Sequence, residues 1–567
     1  MEPTTEAGRL RRGLAGAARA LIAGTALAAL AAGPLATTAA AEGKPGGTLR
    51  LLARAAAGTI DPHINYTLQY FQINYILYDG LVTFKKAGDK TGFDVVADLA
   101  EELPAPEDGG KKYVFKIRKG IHFANGQELT TKDVVASFQR IFKVSGPTAG
   151  TFYNGIVGAD KCLAAPADCT LEGGVVADEA AGTVTINLTA PDGEFLQKIA
   201  IPHAAILPAG TPPSDQGTTP IPGTGPYVIE SYDPTTTLKM VRNPHFKEWS
   251  RQAQPAGFPD EIDYDFGMTE EAAVTAIQND QADWMFDPPP PDRLAEIGSK
   301  YAKQVSVHPL TAMWYAPMNT NLAPFNDVRV RQAVNYAIDR NAVVKLYGGA
   351  NLGQPACQIL PPGFPSYVPY CPYTLNPGEK WTKPDLAKAK ALIAEAGVAG
   401  QEVTIIPEDA TVSRSVGIYL QDVLNSIGLK ASVKPISQNI QFTYIQNTNN
   451  KVQISISQWF QDYPSPSNFL QVLFSCASFH PGSDASVNIS GFCDKAVDAK
   501  MEEALAASIT DKAKAAELWT AVDRMVTDAA PAAVLFTPKR VDFISKRVKN
   551  FTFSPQFYWI ISQSWVE

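Results

Sequence analysis

Histidine is scarce and scattered. The six in 567 residues, His63, His122, His203, His245, His308 and His480, stand singly, and no HExxH zinc helix is present. The chain also lacks a GxSxG nucleophile elbow, a Walker phosphate loop and a GxGxxG dinucleotide fingerprint. Its nearest glycine pair, Gly223 and Gly225 in GTGPY, runs into a proline and a strand pattern, not into the helix N-terminus that a phosphate needs. Carboxylate pairs for glycoside hydrolysis require only closeness in space, and no segment points to them. Cysteine stops at six, without CxxC spacing or a neighbouring histidine, so neither a metal site nor another cofactor is expected. Basic runs are absent beyond the N-terminus and the net charge is −8, which argues against nucleic acid and anionic membranes as partners. After residue 41 no stretch approaches the roughly 18 continuous apolar residues of a membrane span.

What is present begins with an export pattern. Arg9, Arg11, Arg12 and Arg19 form a basic region, an Ala/Leu/Ile stretch runs from Ala20 to Ala32, and Ala39 and Ala41 offer small residues before a cut. Residues 1–41 are therefore expected to be a signal peptide, cleaved near Ala41, with the mature chain free outside the inner membrane. Arg11-Arg12 hints at twin-arginine export without deciding it. Removal takes away four Arg and two Glu and leaves a charge of −10. The remaining length exceeds one core, so two or three domains are expected. The cysteines fall into three local couples, Cys162 with Cys169, Cys357 with Cys371, and Cys476 with Cys493. Six cysteines allow 15 connectivities; locality and an oxidising compartment favour those three.

Helix and strand patterns alternate along the chain, which predicts an α/β fold. GGTLRLLA, KYVFKIR and GTVTINLTAP read as strands, and VIESYDPTTTLKMVRN as a hairpin. Residues 59–80 start as a loop and become a helix. TTKDVVASFQRIF opens a helix with Thr130 and Asp133 spaced as a capping box. NDVRVRQAVNYAIDRNAVVKLYGG reads as one amphipathic helix, capped by Asp327 and ended by Gly348-Gly349. KPDLAKAKALIAEAG and SVGIYLQDVLNSIG are helices stopped by Gly397 and Gly428, each followed by a strand, EVTIIP and LKASVKP. The aromatic C-terminus, NFTFSPQFYWIISQSWVE, is β-like and is expected to return to an earlier sheet.

One stretch poses a chemical question. SQWFQDYPSPSNFLQVLFSC, residues 457–476, sets the single carboxylate Asp462 among Trp459, Phe460 and Tyr463, with prolines just beyond. Such an acid could cap a helix, join a salt bridge, act in catalysis or receive a cation.

Seven stretches in order, TIDPH, FANGQELTTKDVVASF, GTGPYVIESYDP with MVRNPHF, PFNDVRVRQAVNYAIDR, LAKAKALIAEAG, LNSIGLKASV and WFQDYPSPSNFL, resemble the extracytoplasmic solute-binding proteins of ABC importers. The similarity is to family 5, the dipeptide, oligopeptide and nickel class, and covers about 42–567. It implies a type II (cluster C) periplasmic-binding-protein fold, with two main lobes, an inserted extra domain and a ligand cleft between lobes I and III. Lobe I would comprise 42–85, 224–305 and 533–567, domain II 86–223, and lobe III 306–532. In peptide binders of this family an Asp three residues after a Trp receives the peptide's α-amino group; Trp459 and Asp462 match that spacing. Cys476 and Cys493 match a disulfide of the dipeptide-binding members. Tyr66, Thr67 and Leu68 resemble cleft-lining residues of domain I, and Trp314 and Tyr315 sit where the chain enters domain III and are candidates for the lining. The resemblance implies a monomeric receptor, not an enzyme, that hands a short peptide to membrane permease subunits. It leaves open a metal chelate, sugar, opine or other small amine as ligand, and, further off, a secreted hydrolase or chaperone.

Overall fold

The computed structural model describes residues 43–567 apart from Ala57 and Ala485. The expected signal peptide lies outside the described residues.

The first strand, Thr48–Ala53, sits between Trp284–Met285 and Glu261–Phe266, parallel to both. Antiparallel Thr237–Arg242 and Tyr227–Asp233 complete this sheet as the expected hairpin. Leu49 and Leu51 lie opposite Ile262 and Tyr264, and all four are buried. The sheet thus joins residues near 50 to residues 227–285, and what lies between leaves it and returns. Those intervening residues build their own three-stranded antiparallel sheet, Lys112–Lys116, Thr183–Asn187 and Val175–Asp178, with the helix Thr131–Lys143 against it. That helix opens as its sequence requires: the Asp133 carboxylate accepts from the Thr130 N–H at 2.8 Å and from its hydroxyl at 2.7 Å. GTGPY has a packing role. A Cβ on Gly223 or Gly225 would collide with the Leu77 or Ile76 carbonyl at the end of helix Leu68–Leu77, a helix buried on all sides.

The second half is built around an antiparallel sheet ordered Val305–Pro309, Ala532–Phe543, Ala312–Pro317, Ser457–Phe460. Beside it, Glu402–Ile406 lies between Lys430–Val433 and Ile454–Ser455 in parallel, crossed by helix Thr411–Ser426. Two expectations are corrected here. The segment read as one long helix is two, Val328–Ala337 and Arg340–Tyr347. Asp339 breaks it by accepting from the Asn341 and Ala342 N–H groups as a new N-cap, and Arg340 turns inward to donate to the Asn335 and Val534 carbonyls. The aromatic C-terminus pairs with itself, Val548–Lys549 with Trp565–Val566 and Phe553–Ser554 with Tyr558–Trp559, instead of adding a strand to a large sheet. Pro555 and the short runs limit it to two-residue strands, and Trp559 and Ile561 pack into the core of the first sheet.

The cysteines form the disulfides Cys162–Cys169, Cys357–Cys371 and Cys476–Cys493. A buried ion pair ties the loop before the first helix to the intervening segment. Arg140 Nη1 donates to Asp61 Oδ1 at 3.0 Å, its Nε to the Pro212 carbonyl at 2.7 Å, and both side chains are buried. Arg140 holds the Asp61 carboxyl below the usual range although burial alone would raise it. Removing one partner strands the other charge. Asp61→Ala is therefore expected to lower the unfolding free energy of the empty protein by about 3–5 kcal/mol in urea titration. A loss below about 1 kcal/mol would contradict this reading of the pair.

Candidate functional site

The strand Ser457–Phe460 lies at the edge of its sheet, with Trp459 opposite Met313 and Phe460 opposite Ala312. Its last ladder bond runs from the Gln461 N–H to the Thr311 carbonyl at 3.0 Å. Pro464 and Pro466 then prevent the strand from continuing, and helix Ser467–Phe474 begins. Asp462 sits in this turn, 8% exposed.

Asn468, in the first turn of that helix, holds Asp462 by two bonds and Trp459 by a third. Its Oδ1 accepts from the Asp462 N–H at 2.9 Å, its Nδ2 donates to Asp462 Oδ2 at 2.7 Å, and its carbonyl accepts from Trp459 Nε1 at 3.0 Å. The Tyr66 hydroxyl donates to the same Oδ2 at 2.8 Å, and Gln556 Nε2 donates to the Asp462 carbonyl at 2.6 Å. Two side chains, Tyr66 and Asn468, thus meet at the carboxylate, and Gln556 holds the backbone beside it. Both of its hydrogen bonds fall on Oδ2; among the described residues none falls on Oδ1. No Lys or Arg among the described residues pairs with it. Nor is it a cap, because Pro466 holds the cap position of the helix. Two of the four sequence alternatives, cap and salt bridge, are thereby removed.

Burial pushes the Asp462 carboxyl up to about 7, even though the bonds from Asn468 and Tyr66 favour its ionised form. Its titratable neighbours Tyr66, Tyr75, Tyr153, Tyr463 and Tyr558 are all raised above their ordinary range by burial, so they stay neutral across the same interval.

Asp462 lines a cavity of about 230 Å³. One wall is Tyr66, Thr67, Leu68 and Phe71, at the start of the first helix. The opposite wall is the strand from Ser457 to Gln461, and Glu408, Gln441 and Phe442 close the third side. Asn65 shapes the first wall: its Oδ1 accepts from the Thr67 N–H at 2.9 Å and hydroxyl at 2.7 Å. The Tyr66 ring stands 6.2 Å from that of Trp459 and 5.1 Å from that of His203.

Five of the sequence candidates, Tyr66, Thr67, Leu68, Trp459 and Asp462, meet around this space. Trp314 and Tyr315 do not. Trp314 stacks on Phe536 with centroids 5.4 Å apart in the core beside the parallel strands, whereas Tyr315, next along the strand, is buried in the cluster that holds Trp459 and Tyr463; neither lines the cavity. The sequence reading missed Glu408, Gln441, Phe442 and Phe71. Glu408 carried a signal, since it follows the carboxyl end of a parallel strand, where open α/β sheets place their ligands. Asn468 carried none, because its contribution is a contact across a turn.

A cavity walled by the start of the first helix and the edge strand, holding aromatic rings and an acid with no cationic partner among the described residues, has the features of a small-solute site. The family model for bacterial extracellular solute-binding proteins, family 5, matches residues 94–480, and the chain belongs to that family. A dipeptide-binding protein of Escherichia coli K12 is 28% identical over 460 residues, 76% of this chain and 78% of the relative. A probable di/tripeptide-binding protein of Pseudomonas aeruginosa is 26% identical over 497 residues, 81% and 87%. Among solved structures, clavulanic acid biosynthesis oligopeptide binding protein 2 superposes with a TM-score of 0.82 at 24% identity, covering 92% of this chain and 96% of its own. The Helicobacter pylori periplasmic binding protein solved with the peptide STSA gives 0.76 at 20%, covering 92% and 99%. The fold is the periplasmic-binding-protein type that these share. The family and these relatives are binding proteins, and no helix among the described residues is long and apolar enough to cross a membrane.

The raised Asp462 pKa has a direct consequence for stability. The folded protein holds the proton more tightly than the unfolded chain, so stability falls as pH rises from the ordinary carboxylate range towards about 7 and levels off above it. Asp462→Asn keeps the shape of the neutral acid and should escape this penalty. In ligand-free protein its melting temperature should match the wild type at pH 4 and exceed it at pH 8, the gap corresponding to on the order of 2–4 kcal/mol. A variant less stable than wild type at pH 8 would make the carboxylate a structural partner.

Proposed function

We propose that this chain captures short peptides by their α-amino group and delivers them to the permease of an ABC importer from the periplasm. The observation that carries the proposal is Asp462: a buried carboxylate, held by Tyr66 and Asn468, whose second oxygen and charge find no partner among the described residues. A peptide ammonium supplies the missing partner, and a charge-assisted hydrogen bond is strong in a site shielded from water. The rings of Trp459 and Tyr66 give that ammonium a favourable wall, and Thr67 and Leu68 complete the side facing it. A solute without a positive group would leave the acid buried and unpaired, which disfavours neutral isosteres. The printed names of the relatives, dipeptide and di/tripeptide binders, support the same ligand class.

Lobe I in this proposal comprises 42–85, 224–305 and the C-terminal return, domain II 86–223, and lobe III 306–532. The discontinuous first sheet and the self-contained sheet inside 112–187 support that division. The strand Ala532–Phe543 pairs within lobe III's sheet, and Ile544 bridges Trp284, so the return to lobe I is drawn at about residue 544. Tyr66 and Asp462 come from opposite lobes, so their bond supports closure around ligand by a hinge.

Two measurements test the reading. Native mass spectrometry of protein taken from its host's exported fraction should show added masses matching short peptides; a single non-peptide mass or a metal would overturn the ligand class. In calorimetry, acetylating the amine of a bound peptide and replacing Asp462 by Ala should each weaken binding by about 100-fold, the scale of a lost charge-assisted bond. Binding that survives both changes would remove Asp462 from the role.

A further inference from the structure

The third side of the cavity carries a second acid. Glu408 lies two residues past the strand Glu402–Ile406, and its backbone N–H donates to the Ser413 hydroxyl at 3.1 Å. Its neighbour Asp409 pairs with Arg414. Among the described residues no Lys, Arg or His pairs with the Glu408 carboxylate. Beside it Gln441, 1% exposed, spends its Nε2 on the Ile406 and Ile456 carbonyls, and no bond to its Oε1 is formed by a described residue. None of the residues lining the cavity is Lys, Arg or His. The space therefore presents two carboxylates and an amide oxygen and offers no cationic side chain to a ligand's carboxylate.

We infer that Glu408 forms a second, cation-accepting subsite, so that the preferred ligands are peptides of three or more residues with Lys or Arg among the first two. This rests on the peptide reading above. The ligand's amine would pair with Asp462 and its basic side chain with Glu408, while its carboxylate lies outside the acidic cavity, which a dipeptide could not arrange as well. Burial raises the Glu408 carboxyl to about 6 with no opposing partner, in keeping with an acid that lacks its cation.

The test is calorimetry with matched peptides. Ala-Lys-Ala and Lys-Ala-Ala should bind about tenfold or more tightly than the same peptides with norleucine in place of lysine, as expected for one added charge-assisted bond. Glu408→Gln should abolish that preference, bringing the lysine peptides to the affinity of the norleucine peptides, with an unfolding transition in thermal denaturation to show that the variant is folded. Equal binding of the lysine and norleucine peptides to the wild type would overturn the inference and leave the peptide reading standing. So would a preference that survives Glu408→Gln. Binding of 1,5-diaminopentane but of no peptide, lost in Glu408→Gln, would keep the acidic subsite and overturn the peptide reading.

Discussion

An acid buried without a counter-charge is costly, and the site is organised around keeping one. Asp462 is held by an amide, a phenol and a glutamine drawn from residues 468, 66 and 556, none of which brings a positive charge. Such donors stabilise the carboxylate enough to fix its position and too little to neutralise it.

That constraint explains why the cavity lies where it does. Asp462 comes from a turn that two prolines impose at the end of an edge strand, and Tyr66 from the loop entering the first helix. The two segments belong to sheets that share few strands, and the long strand Ala532–Phe543 with the bridge from Ile544 to Trp284 is one of the connections between them. Trp284 Nε1 donates to Asp542 Oδ1 at 2.9 Å and the Ser545 hydroxyl to Asp283 Oδ1 at 2.7 Å, so the crossing is tied on both sides by buried acids.

Much of the local structure was legible in the sequence. The capping box at Thr130, the glycine stops at Gly397 and Gly428, the hairpin after GTGPY and the local cysteine couples are all consequences of short-range chemistry. The misreadings are also instructive. Periodicity carried a helix through Ile338 because the apolar face continues, whereas Asp339 and the inward turn of Arg340 break it through contacts with Val534, far along the chain. Trp314 and Tyr315 were candidates for the cleft by position, with the core as the equal alternative; Trp314 packs on Phe536 and Tyr315 in the cluster of Trp459, and neither lines the cavity.

The sequence by itself determined the α/β alternation, the family and the candidate acid in its aromatic turn, because these depend on residue type at short spacing. Tertiary structure decided which acids share the cavity. Glu408 and Asp462 are separated by more than fifty residues and line one space because the parallel strand Glu402–Ile406 ends beside the start of the edge strand Ser457–Phe460. It also decided that Asp462 lacks a cation, since the absence of a partner belongs to the surroundings and leaves no mark in the residue's own neighbourhood along the chain.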